Sequence, residues 1–360
     1  MLVNVVVAMV EAVIVLGFVM TFAGFLTWVE RKQSAVMQDR IGANRADIFG
    51  IRLIGLFHPI ADGLKMLTKE DFIPAKADRA LFVIAPVVSL FFALCAFATI
   101  PFGDFVQFGP RQIPLQVAKV NIGLLFVFAM ISMEIYGVVL AGWASRNNYS
   151  FLGALRASAL MLSYELPLGA AIIGVLMVYH SLEIGEIIQR QGELLFGFLP
   201  KWGIFVQPLG FVVFLAAGLA ATKRVPFDTP EGESEIIGYF VEYSGMKFGM
   251  FMLTDLVETV VIAALATSLF LGGWQFPYLT SHGFLLPGGA LSPVAHPWVV
   301  VLQIVSFTVK VALLCWFLML LRWTLPRFRY DQAMRLGWLF MFPLSLINIL
   351  VSGAVMTWIS

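Results

Sequence analysis

From Val3 to Val29 the chain carries a single ionisable side chain, Glu11, and further apolar stretches follow at 80–102, 119–145, 157–180, 203–222, 248–271, 299–321 and 336–358. A helix needs about 20 apolar residues to cross the hydrocarbon core of a bilayer, whereas a barrel strand needs about ten in alternation. These lengths predict an all-α polytopic membrane protein with eight transmembrane helices. Composition agrees. The chain is 60% hydrophobic and 12% charged, against roughly 25% charged in a soluble domain. One water-soluble core could not hide so much apolar surface. The first run has no basic start and exceeds the roughly 7–15 residues of a signal-peptide core, so it reads as the first span. The chain reads as one transmembrane domain, 1–360, without a legible internal repeat.

Lys and Arg set the expected orientation. They concentrate in the segments 30–79, 146–156, 223–247 and 322–335, and thin out in 103–119, 181–202 and the outer loop 272–298. By the positive-inside rule the first group faces the cytoplasm and both termini face outside. Within 30–79, Leu53, Leu56, Phe57, Ile60, Leu64 and Leu67 recur at helical spacing, with His58, Asp62, Lys65 and Lys69 on another face. That pattern predicts an amphipathic helix at the membrane interface, started or kinked at Pro59.

Several chemistries are excluded for the chain alone. Cys95 and Cys315 lie inside apolar runs, which suggests neither a disulfide framework nor a metal site. Two cysteines cannot hold an iron–sulfur cluster, which takes four ligands, and no Gly-rich dinucleotide fingerprint is present. His58, His180, His282 and His296 form no pair at matching depth that would hold a haem; His282 and His296 read as surface residues of the outer loop.

The ionisable residues inside spans carry more information, because each costs roughly 2.5–3.5 kcal/mol to insert at mid-helix. Glu134 and Glu165 lie roughly 13–17 Å from the cytoplasmic ends of their spans at about 1.5 Å per residue, and Lys310 sits near the middle of the seventh. Together they predict a buried polar layer that serves as a proton or ion path. The segment "PFDTPEGESE", 226–235, feeds it. Thr229 followed by Pro230 reads as a helix start, which would put Glu231, Glu235 and Glu242 on one face of a re-entrant helix bending near Gly245 or Gly249. Asp255 and Glu258 would continue the acidic character into the sixth span. Carboxylates crowded in a poorly solvated cleft hold protons more tightly, which suits proton passage near neutral pH.

Four strings then resemble a known family: "ERKQSAVMQDRIGANR" (30–45), "HPIADGLKMLTKE" (58–70), "RVPFDTPEGESEIIGYFVEYSGMKFG" (224–249) and "PRFRYDQAMRLGW" (326–338). In order and position they are similar to the H-subunit family of NADH:quinone oxidoreductases, the respiratory complex I enzymes. The resemblance implies a quinone tunnel lined or flanked by Glu30, Arg31, Arg45, Asp62, Asp228, Glu231 and Arg322. It implies an acidic proton path through Glu231, Glu233, Glu235 and Glu242, then Glu165 and Glu134, which joins the layer to which depth along the span assigns Lys310. It also implies no catalytic residue or metal in this chain, quinone (ubiquinone or another) as substrate, and FMN and iron–sulfur clusters in partner subunits. Those partners are soluble quinone-module and iron–sulfur subunits, small membrane subunits and antiporter-like subunits, in a bacterial inner membrane and without nucleic acid. Alternatives left open are the homologous subunit of a membrane-bound hydrogenase or formate hydrogenlyase, and a free-standing proton-coupled transporter.

Overall fold

The structure is a computed structural model that describes residues 2–108, 111–195, 199–230, 232, 236, 238–280, 283–285 and 291–359. Its helices are α1 (Leu2–Met37), α2 (His58–Thr68), α3 (Arg79–Cys95), α4 (Gly123–Ala144), α5 (Asn148–Tyr179), α6 (Ile184–Gln191), α7 (Gly203–Val206), α8 (Pro208–Ala221), α9 (Gly245–Phe270), α10 (His296–Thr324), α11 (Tyr330–Arg335) and α12 (Phe342–Ile359). A π-helical turn over Leu336–Met341 joins α11 to α12.

Among the described residues, seven helices are long and apolar enough to cross a membrane. The expected span at 203–222 is the exception. It is split into α7 and the 14-residue α8, about 21 Å at 1.5 Å per residue against a hydrocarbon core of about 30 Å. Pro208 explains the break, since it has no N–H to donate and disfavours helical backbone at the residue before it. Gln207 accordingly takes φ −132°, ψ 56°; its backbone N donates to Gly203 O at 2.7 Å, and its side chain donates to Ser352 Oγ at 2.8 Å.

Helix α9 is the axis of the bundle. From Thr254 to Phe270 every side chain is buried, against α1, α3, α8 and α10. Small residues allow close contact, as in membrane bundles generally: a Cβ on Gly142 of α4 would stand 2.4 Å from Ala154 Cβ of α5. By contrast α1 and α12 turn Val10, Val13 and Ile14, and Ile347, Leu350 and Val351, outward. Apolar surface of this kind suits lipid or neighbouring membrane chains.

The connections gather at two ends. One end holds antiparallel hairpins that apolar patterning does not predict: β1 (Phe105–Phe108) with β2 (Arg111–Pro114), β3 (Leu194–Leu195) with β4 (Leu199–Pro200), and β5 (Leu279–Thr280), β6 (Gly283–Leu285) and β7 (Leu291–Pro293). Gln303 Oε1 accepts from Asp104 N, and Gln189 Nε2 donates to Asp104 Oδ1, which ties these loops together. His296 belongs here, stacked on the Phe105 ring at 5.2 Å; His282 lies outside the described residues. The other end gathers the basic and acidic segments.

At that end α2 forms where the amphipathic pattern predicts it, with Pro59 in its first turn. Its Ile60, Leu64 and Leu67 face away from the bundle, while Met66 packs on α9 at Gly249, where a Cβ would meet the sulfur at 2.5 Å. The helix expected to start at Pro230 falls largely on residues outside those described; the described residues of 238–244 are turns and irregular backbone. The chain enters α9 only at Gly245, whose φ of +57° turns it inward in a conformation that favours glycine.

Candidate functional site

Helix α1 ends in the first charged contacts. The Glu30 carboxylate is hydrogen-bonded by Arg322 from the last turn of α10, and Arg224 approaches its other oxygen at 3.8 Å. Three distant segments thus converge on one carboxylate. Next to it, Arg31 pairs with Asp62 of α2 at 2.6 Å, fixing the interfacial helix to the first span. Arg45 lines a cavity of about 340 Å³ with Arg31, Ser34, Arg40, Asn44 and His58. The cavity is basic, open at the charged end of the bundle, and beside the Glu30 contacts.

The segment after α8 docks on the loop before α11. Asp228 is buried and accepts from Arg327 at 2.8 Å, and Phe328 N donates to Pro226 O at 2.9 Å. The Phe227 ring lies between Tyr164 and Phe328, with centroids 5.1 and 5.4 Å away. Aromatic packing and a charge-assisted bond hold the two basic and acidic strings against each other. At the start of α11, Arg329 Nε donates to Asp331 Oδ1 at 2.5 Å. Burial pushes the Tyr243 phenol up; its ring stacks on Phe82 at 3.9 Å.

The structure therefore brings Glu30, Arg31, Arg45, Asp62, Asp228 and Arg322 to one end of the bundle. Glu231, Glu233 and Glu235 lie outside the described residues. Glu242 accepts from Asn147 Nδ2 at 2.7 Å, anchored to the start of α5 rather than to a helix of its own.

Deeper in, Glu165 of α5 meets the Ser132 hydroxyl of α4. Glu134, just past Ser132 on α4 and fully buried, is bonded by Lys223 Nζ at 3.1 Å. The same ammonium stands 3.1 Å from Asp255 and 3.6 Å from Glu258. The three carboxylates lie within 4.8 Å of one another. Sequence reasoning singles out Glu134 and the acidic pair of α9 but misses Lys223, which counts there as one more basic loop residue. A signal for it exists: Lys223 abuts the apolar run of α8 directly, with no polar spacer beyond Thr222.

Lys310 corrects the expected layer. Its ammonium donates to the backbone oxygens of Leu271, Gly273 and Gln275 at 2.6–3.0 Å and sits 4.5 Å over the Trp202 ring. It holds the turn that follows α9, at the C-terminal end of that helix, where the dipole favours a cation. The long lysine stem lets the charge reach away from mid-helix. The cation among the membrane carboxylates is Lys223.

The NADH dehydrogenase family matches residues 10–353. The first NADH-quinone oxidoreductase H subunit of Cytophaga hutchinsonii is 41% identical over 93% of this chain and 92% of its own. The second H subunit of Rhizobium meliloti is 43% identical, covering 92% and 91%, and the H subunit of Thermomicrobium roseum is 42% identical, covering 96% and 94%. With matches of this extent, the chain, an all-α membrane bundle, belongs to the H-subunit family of NADH-quinone oxidoreductases.

Proposed function

We propose that this chain is the membrane subunit of a proton-translocating NADH:quinone oxidoreductase that forms part of the quinone tunnel and the start of the proton path. Glu30, Arg31, Arg45, Asp62, Asp228, Glu231 and Arg322 line or flank the tunnel. Glu231, Glu233, Glu235 and Glu242, then Glu134 and Glu165, carry protons from it into the bundle. Electrons come from NADH through FMN and iron–sulfur clusters in partner subunits, and this chain supplies binding and charge rather than a redox centre. The complex lies in a bacterial inner membrane with both termini outside, among soluble quinone-module and iron–sulfur subunits, small membrane subunits and antiporter-like subunits.

The observation that carries the coupling is the adjacency of Lys223 and Arg224. Arg224 faces Glu30 at the tunnel end, and the neighbouring Lys223 faces Glu134, Asp255 and Glu258 inside the bundle. Reduction of quinone develops negative charge and a demand for protons beside Glu30 and Asp228. A change in the pull on Arg224 is transmitted through one peptide unit to the ammonium that neutralises the membrane carboxylates. In low dielectric such a displacement changes charge balance strongly.

The test uses the complex in its native membrane. Glu165→Gln and Glu134→Gln should lower proton translocation coupled to quinone reduction, while NADH oxidation by a soluble acceptor is retained. Full translocation in both variants would remove the path. Purification of tagged complex should recover NADH-oxidising, iron–sulfur and antiporter-like chains; a nickel–iron hydrogenase chain in their place would move the function to hydrogen or formate metabolism.

A further inference from the structure

We propose that Lys223, Glu134, Asp255 and Glu258 form a buried site that holds two exchangeable protons in the resting protein. This deepens, and rests on, the proton-path reading above, and it assigns a role to Lys223, Asp255 and Glu258.

The first argument is charge. Three carboxylates surround one ammonium, so full ionisation would leave two uncompensated negative charges. Among the described residues, Lys223 is the only basic group in ion-pair contact with the three acids. Arg224, next in the chain, is turned to Glu30. The other titratable group acting on Lys223 is the Tyr239 phenol, which brings no positive charge. Relative exposure is 0% for Glu134, 2% for Lys223, 8% for Asp255 and 1% for Glu258. Carboxylates so placed take up protons unless they are paired. Two protons make the cluster neutral.

Hydrogen bonding leaves room for these protons. An ionised carboxylate is acceptor-only and satisfied by several donors. Here Glu134 Oε2, Asp255 Oδ1 and both oxygens of Glu258 are buried without a hydrogen-bond partner among the described residues. Each of the three acids thus offers an oxygen on which a proton can sit, and the charge balance sets their number at two.

Geometry separates protons from a metal ion. The carboxylate spacing would suit a cation at the centre, but Lys223 Nζ already stands there, 3.1, 3.1 and 3.6 Å from the three acids. A second cation would face the ammonium. The protons are exchangeable because the ammonium is tethered to Arg224. Drawing Nζ away from the acids favours proton uptake, and pressing it back favours release.

The experiment is infrared difference spectroscopy on the purified resting complex. It reads the protonated-carboxyl C=O stretch and its shift on transfer to D2O, with assembly checked by co-purification of this chain with its partner subunits. Glu134→Gln, Asp255→Asn and Glu258→Gln should each lower the signal by one carboxyl. Lys223→Met should raise it by one, since three acids would then each need a proton. Lys223→Gln makes the same charge change should the methionine variant fail to assemble. A signal unchanged in the carboxyl variants, or not raised on removing Lys223, would overturn the proposal. So would a signal that falls on adding sodium chloride at constant ionic strength, which would assign a cation instead. The count needs no turnover, so it can fail while the Glu165→Gln coupling test succeeds, and the reverse.

Discussion

Glu30→Gln is the substitution that most directly tests whether the charged end of the bundle is a working site. The side chain accepts from Arg322 and lies 3.8 Å from Arg224, so it joins α1, α10 and the segment after α8. Glutamine keeps the shape and one acceptor but removes the charge that both guanidiniums face. A hydrogen bond to a charged group contributes about 1.5–3 kcal/mol, and truncating one partner of a fully buried pair costs about 3–5 kcal/mol. The Arg322 side chain is 27% exposed, so the lower range applies. At about 1.4 kcal/mol per decade, quinone reduction should fall roughly ten- to hundredfold, with NADH oxidation by a soluble acceptor unchanged. The assay is quinone-reductase turnover in membranes, repeated in Arg322→Gln and in the double variant. Contacting residues couple by about 0.5–3 kcal/mol, so the double variant should lose less than the sum of the singles. Wild-type turnover in Glu30→Gln, or strict additivity in the cycle, would refute the reasoning.

Lys310→Met should lower the thermal stability of the solubilised complex by leaving the Leu271, Gly273 and Gln275 carbonyls of the turn after α9 without their donor, yet leave the ratio of protons moved to quinone reduced unchanged; a changed ratio would return Lys310 to the path. Gly142→Ala places a Cβ 2.4 Å from Ala154 Cβ and 2.9 Å from Ser150 O, an overpacking that costs about 1–3 kcal/mol and should appear as a lower unfolding temperature. Tyr164→Phe loses the bond to Ala333 O at 2.7 Å, about 1 kcal/mol, and should loosen α11, read as faster hydrogen exchange there. Burial raises the Asp104 carboxyl above its ordinary range, against a hydrogen bond from Gln189 and the charges of His296 and Lys119. An acid raised in the folded state contributes stability below its unfolded pKa and loses it as pH rises through the folded value. Thermal stability should therefore fall across the mildly acidic range in the wild type and less steeply in Asp104→Asn.

Apolar length is enough to find the long helices because crossing a bilayer sets a length that packing does not alter. The amphipathic α2 is legible for a similar reason: its Ile60, Leu64 and Leu67 follow a period the interface demands. Length fails where a local group overrides it. Pro208 divides an apolar run whose hydropathy alone is continuous, and at the break the Gln207 side chain meets Ser352 from α12, a contact no window of sequence contains. The short hairpins around Asp104 are invisible to such reasoning because two- to four-residue strands carry little periodicity.

The site divides along the same line. Glu30, Asp62 and Asp228 stand out as charges beside apolar runs, and the fold gives them basic partners from distant segments: Arg322, Arg31 and Arg327. Lys310 is conspicuous for the same reason and yet belongs to a helix cap, because a lysine stem can carry its charge away from the depth of its backbone. Lys223 is the converse. Its backbone lies just past the end of α8, where charge counting assigns basic residues to water, and its ammonium lies among three buried acids. Position along a span therefore identifies where a lysine starts and not where its charge resides. That distinction decides whether a basic residue orients the chain or neutralises buried acids, and only the packing of α4, α8 and α9 resolves it.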